Sequence, residues 1–250
     1  MKLSVTNLIF QELASLGSEE KRNVLSKFFK TRRGEYAEGD KFMGVVVPDI
    51  RKVAKKYLKL SLYDIQALIK SPWHEMRMCG LLIMVEHLKI AKSRSWLKCH
   101  SLKELEILCK EYFVFYLKHT KGVNNWDLVD LTAPTIVGDY LMDKDRSVLY
   151  ELADSKSLWK QRIAIVSTYA FIRRGDCEDT YQLALKLLHH PHDLIQKAVG
   201  WMLREAGKRN QKQLTDFLCK YAVEMPRTML RYAIEKYPET ERKNFLNMKP

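Results

Sequence analysis

Trp126 and Asp130 stand four residues apart in the stretch Lys121-Gly122-Val123-Asn124-Asn125-Trp126-Asp127-Leu128-Val129-Asp130, a spacing that stacks them on one face of a helix. Asn124 or Asn125 can cap that helix, and Asp127 suits the positive end of its dipole. Capping leaves Trp126 and Asp130 unexplained. A wide aromatic beside an acid, near the start of a helix in a very basic chain, makes this pair the first candidate for chemistry. Pro134, eight residues beyond Trp126, has no N–H to continue the helix and is expected to kink or split it.

Two later helices also carry residues that an apolar face does not require. Lys197, Trp201, Arg204 and Lys208 follow one another at steps of four, three and four, forming a basic stripe with one ring. An exposed aromatic among cations suits a phosphate backbone with a base or sugar against the ring; a solvated basic face on which Trp201 packs in part is the alternative. Arg162, Val166, Tyr169 and Arg173 form a similar stripe in the preceding helix. The Arg162 fork can hold a phosphate in two contacts or pair with a carboxylate such as Asp130. A third basic group, Arg32, Arg33, Lys41, Arg51 and Lys55, surrounds a glycine-bearing loop and is a weaker candidate for a second nucleic-acid contact.

The elements that position these residues are all expected to be helices. Apolar periodicity places helices at 3–16, 19–30, from Pro48 onward, and at 61–70. A long helix opens at Pro72, Ser93–Ser101 breaks the pattern, and 102–118 is helical up to an end at Gly122. After the Trp126 helix come segments at 145–153, 158–174, 178–189, 192–208, 211–223, 225–236 and 239–247. Residues 31–41 read as a long loop, and Val45-Val46-Val47 as a linker rather than a strand because Pro48 fits the next helix's first turn. Such a chain is a bundle or a solenoid of helix pairs. Trp126, Arg162 and Trp201 are separated by 36 and 39 residues, close to the period of about 40 in HEAT-type pairs. Stacked pairs would line the three up on a concave wall.

Composition limits the partners. A net charge of +13 over 250 residues points to a polyanion, nucleic acid before an acidic membrane surface. The five cysteines are odd in number and lack a CxxC spacing, which suits a reducing compartment, and the expected location is cytoplasmic. The polar, amphipathic N-terminus does not read as a signal peptide, and no apolar run approaches the roughly 18 residues of a membrane span. His189, His190 and His192 flank Pro191 without metal-ligand spacing, and phosphate-loop, dinucleotide and hydrolase motifs are absent, so neither metal nor cofactor is expected.

Three separated motifs carry a family resemblance. Asn125-Trp126-Asp127-Leu128-Val129-Asp130, Trp159-Lys160-Gln161-Arg162, and Gln196-Lys197-Ala198-Val199-Gly200-Trp201-Met202-Leu203-Arg204-Glu205 resemble those of the AlkD family of alkylpurine DNA glycosylases, as does Phe42-Met43-Gly44 followed by Pro48 and Arg51. The resemblance implies an all-α HEAT-like repeat solenoid, one domain over 1–250, whose concave face binds duplex DNA containing alkylated purines. It implies a monomer without an obligate protein partner. It also implies that Asp130 is the catalytic carboxylate, that Trp126 and Trp201 contact deoxyribose and backbone, and that Arg162 shares the cleft. Arg51, Lys197, Arg204, Lys208 and Arg173 are then expected DNA contacts. Asn125 stands where some members have a further aromatic, and Val45-Val46-Val47 is apolar where some relatives are polar. The competing expectations are a non-catalytic HEAT-like protein that binds branched or damaged DNA, and a helical scaffold for acidic proteins.

Overall fold

The computed structural model describes residues 4–248. Among them the chain is all-α, with no strand and one isolated bridge between Lys41 and Trp73. It divides into two compact units, with the boundary between Thr132 and Ala133.

The first unit holds α1 (Val5–Leu16), α2 (Glu19–Phe28), α3 (Val47–Lys56), α4 (Leu62–Ile69), α5 (His74–Ala91), α6 (Arg94–Leu97), α7 (Leu102–Lys118) and α8 (Trp126–Asp130). Serines start many of these elements. Ser4, Ser18, Ser61, Ser93 and Ser101 each accept from a free first-turn N–H, and Ser101 forms a reciprocal capping box with Glu104. Leu3, the expected first residue of α1, lies outside the described residues. Pro48 falls in the first turn of α3 and the valines form no strand, as expected. The unit is built on α5, which packs against α1, α3, α4 and α7. Nearly every α5 residue from His74 to Leu88 is buried, so this helix sits inside its neighbours on all sides, with His74, Glu75, Arg77 and Glu86 buried among its apolar residues.

The second unit begins with a wide turn of π type over Pro134–Gly138, then α9 (Ser147–Asp154), α10 (Leu158–Ser167), α11 (Tyr169–Ile172), α12 (Glu178–Lys186), α13 (Asp193–Gly207), α14 (Gln211–Tyr221), α15 (Arg227–Ala233) and α16 (Glu239–Asn247). Here α13 is central, packing against α10, α12, α14 and α15. In both units successive helices stack on the pair before, the arrangement of a helical solenoid.

The break over 93–101 holds one short helix, α6, capped by Ser93, and Trp96 stacks on His100 at 3.8 Å. Two expectations need correction. The helix expected over 158–174 breaks at Thr168: the Ser167 hydroxyl donates to the Ile163 carbonyl at 2.6 Å and that of Thr168 to Ile165 at 2.7 Å, competing with the backbone ladder. Gly122 does not end α7, which stops at Lys118 with His119 as its cap. Gly122 serves close packing instead, since a Cβ there would lie 2.4 Å from the Ile69 carbonyl oxygen.

Candidate functional site

Helix α8 has only five residues, and its burial pattern separates two roles. Asp127, Leu128 and Val129 are buried, whereas Trp126 and Asp130 are half-exposed. Of the two possible caps, Asn125 is the one used; fully buried, it accepts from the Trp126 N–H at 2.8 Å. The N–H of Leu131 closes the helix on the Asp127 carbonyl at 3.1 Å, and Pro134 starts the next turn, so the chain is split as expected. The Trp126 ring stacks on Phe29 at 5.2 Å and meets the exposed Phe28 edge-on at 5.8 Å. Asp130 lies close enough to the buried Tyr116 for its charge to add to the effect of burial, which pushes the Tyr116 phenol up. Tyr116 shares a 2.9 Å hydrogen bond with Thr132.

Asp127 does more than cap. Its Oδ1 accepts from the Leu128 N–H at 2.8 Å, and its Oδ2 lies 2.9 Å from His74 Nε2. The other ring nitrogen of His74 faces Asp40 at 3.4 Å, and Asp40 also accepts from Arg77 at 2.7 Å. All four residues are almost fully buried. Beside them the Glu75 carboxylate takes the N–H groups of Met43, Gly44 and Val45 at 2.9 to 3.2 Å. Gly44 has a φ of 87°, the left-handed region that glycine adopts without a Cβ penalty. None of His74, Glu75, Arg77 and Asp40 was singled out from the sequence. The available signal was three charged or titratable residues, His-Glu-x-Arg, opening a long helix whose core-like positions run on to Leu88.

Burial alone would lower the His74 pKa, but the charge and hydrogen bond of Asp127, with the bond to Asp40, outweigh it and raise it from 6.5 to about 9. Asp40 is held below the ordinary carboxylate range: His74 and Arg77 overcome the burial that would raise it. For a group whose folded pKa is raised, the stability is fully present below the unfolded pKa and is lost as pH rises through the folded value. The His74 contribution, on the order of 3 kcal/mol, should therefore disappear between about pH 6.5 and 9. Melting temperatures over this window should fall by several degrees more in the wild type than in His74→Gln.

The expected second-unit residues have definite partners. Arg162 is 5% exposed and donates to the Leu194 carbonyl, so it joins α10 to the first turn of α13 about two turns before Trp201. Val166 is fully buried, and the stripe expected from Arg162 to Arg173 is not a solvated face. Trp201 is half-buried on α13 and leans on Tyr169 at 5.9 Å; Arg173 lies over that tyrosine at 5.5 Å and pairs with Asp139 at 3.0 Å. Lys197 pairs with Asp193 at 2.8 Å, Lys208 with Glu205 at 2.7 Å, and Arg204 with Glu205 and Glu235. An exposed pair such as Lys197–Asp193 contributes about 0–1 kcal/mol, so Lys197 can exchange a carboxylate for a phosphate at little cost, whereas Glu205 is nearly buried and is shared by Arg204 and Lys208. Arg51 differs. It pairs with the buried Glu86, whose pKa Lys89 and Arg51 lower against the opposing effect of burial, and this pairing serves the fold of the first unit. Of the histidines around Pro191, His192 caps α13 through its ring and His190 bonds Gln161 at 2.9 Å.

An all-helical chain with half-exposed aromatics, an acid at the end of a short anchored helix and a basic surface is a reasonable scaffold for work on nucleic acid. The fold agrees with a solved structure of a predicted DNA alkylation repair enzyme from Enterococcus faecalis: the TM-score is 0.63 at 16% identity, covering 89% of this chain and 97% of that one. The sequence matches the DNA alkylation repair enzyme family over residues 9–237, and the chain belongs to that family. No curated protein matches it by sequence. Among the described residues no helix is long and apolar enough to cross a membrane.

Proposed function

We propose that the chain is a DNA glycosylase that hydrolyses the N-glycosidic bond of cationic N3- or N7-alkylated purines in duplex DNA and leaves an abasic site. The observation that carries this reading is α8: its three middle residues are buried, and it presents Trp126 and Asp130 together on its exposed side. A purine alkylated at N3 or N7 is already positive and leaves as a neutral base, so no strong general acid is needed. Bond cleavage leaves oxocarbenium character on the sugar. Asp130 stabilises that charge and orients the water that adds at C1′, and the water's second proton passes to solvent. Trp126 and Trp201 lay aromatic faces against the cationic sugar and the backbone. Lys197, Arg204, Lys208 and Arg173 hold phosphates, Arg162 braces the helix that carries Trp201, and Arg51 is a weaker contributor. In this reading the chain, 1–250, acts on duplex DNA as a single monomeric domain, in the cytoplasm and without a cofactor.

Incubation with duplex DNA containing 7-methylguanine, followed by measurement of free base, tests the proposal. Release by the wild type and its loss in Asp130→Asn are expected; tight binding to branched DNA with no release would favour the non-catalytic alternative. Trp201→Ala should slow base release about tenfold or more, because a stacked ring contributes about 1–3 kcal/mol, and should leave affinity for undamaged duplex within about threefold. Lys197→Ala should do the opposite, lowering the slope of log affinity against log salt by about one at near-normal single-turnover rates. Similar losses of both properties in both variants would overturn these assignments.

A further inference from the structure

Five residues make about one and a half turns, too short for α8 to hold its own direction through backbone hydrogen bonds. Its orientation depends on what grips it. The grip lies at its first turn, where Asn125 reaches Asp40 at 3.4 Å and Asp127 meets His74 at 2.9 Å, both inside the unit. His74 also has ring neighbours. It stacks on Phe42 at 4.5 Å and lies against Phe29 at 5.2 Å; Phe42 and Phe29 stack at 5.1 Å; and Phe29 stacks on Trp126 at 5.2 Å. One imidazole therefore touches the candidate site by two routes, a polar one through Asp127 to the helix and an aromatic one through Phe29 to the Trp126 ring.

We propose that His74 is a positioning residue that sets the direction of α8 and the plane of the Trp126 ring, and through them the placement of Asp130. This inference rests on the reading of Trp126 and Asp130 as the reacting pair. His74 touches no substrate. The charged groups facing it are Asp127 from α8, Asp40 from the loop before α3, and Arg77 from its own helix; Phe29 and Phe42 cover its ring. Loss of the imidazole leaves Asp127 buried without its partner, and α8 relaxes toward solvent to hydrate it. A shift near 1 Å at a reacting group costs about 100-fold in rate.

The test uses full-length protein labelled with 5-fluorotryptophan, with the Trp126 signal assigned by its loss in Trp126→Phe. In the wild type the Trp126 fluorine signal should shift with a midpoint near pH 9, where His74 loses its proton, while Trp96, Trp159 and Trp201 hold theirs. In His74→Gln the Trp126 signal should be displaced at every pH and should not titrate. Single-turnover base release should fall about ten- to hundredfold, with the dissociation constant for undamaged duplex within about twofold. Phe29→Leu keeps the charge network and cuts the aromatic route, so the Trp126 signal should move and its titration shrink, and this variant with the wild-type titration decides the matter if His74→Gln does not fold. A Trp126 signal that neither titrates in the wild type nor moves in the variants overturns the proposal. Absence of base release by the wild type would instead refute the glycosylase reading, and the fluorine spectra would still decide whether His74 positions the ring.

Discussion

Asp130→Asn is expected to slow release of 7-methylguanine from duplex DNA by about two to three powers of ten, the loss seen when one preorganised electrostatic group is removed from a developing charge. The substitution keeps shape and removes charge. Asp130 is half-exposed at the end of α8, so its amide counterpart can be solvated in place and the fold should survive. The neighbouring Tyr116–Thr132 hydrogen bond does not involve it. The same change should leave DNA binding unchanged or slightly tighter, because a carboxylate near a phosphate backbone repels it. Opposite effects on rate and affinity distinguish a reacting acid from a structural one, whose loss would lower both. A drop of less than about tenfold in a folded variant would leave the chemistry without its carboxylate.

The residues legible in advance were those whose reason lies in local spacing. Pro48 at a helix start, Pro134 as a break and the long helix α5 each act within a turn or two, and each is legible from local spacing. Trp126 and Asp130 were legible for the same reason, since four-residue spacing puts both on one face. What the sequence concealed was long-range. Asp40 and Asp127 look like a loop acid and a capping acid until α5 brings His74 between them, 34 and 53 residues away. Arg51 looked like a free cation on an amphipathic helix, yet its partner Glu86 is 35 residues on and buried. In the stripe from Arg162 to Arg173, Arg162 and Val166 are buried because α13, whose Leu194 carbonyl, 32 residues on, accepts from Arg162, packs over α10. Charge patterns show where cations are and not which acids already hold them.

Glu75→Ala should destabilise the protein by about 3–5 kcal/mol, a large share of the 5–15 kcal/mol that holds an ordinary domain together. The side chain is 1% exposed, and its two oxygens are the acceptors for three consecutive backbone N–H groups, those of Met43, Gly44 and Val45. Truncation leaves those donors facing a cavity in the unit's interior, and each unsatisfied buried donor costs about 1–3 kcal/mol. The loop cannot easily turn them elsewhere. Gly44 sits at φ 87°, and a Cβ built on it would lie 2.2 Å from the Ser18 carbonyl oxygen, so the segment is wedged against the start of α2. Glu75→Gln should lose less, because its remaining carbonyl oxygen can still accept while its amide opposes one N–H. Chemical denaturation of the three proteins checks the order, wild type above Gln above Ala, and a loss below about 1 kcal/mol for alanine would contradict it. The consequence extends beyond stability. The 42–45 segment carries Phe42, which packs on His74 and Phe29 beneath Trp126. Glu75→Gln, folded at low temperature, should therefore also show a slower base release than its native-state population explains, because the surface under the candidate ring is no longer held.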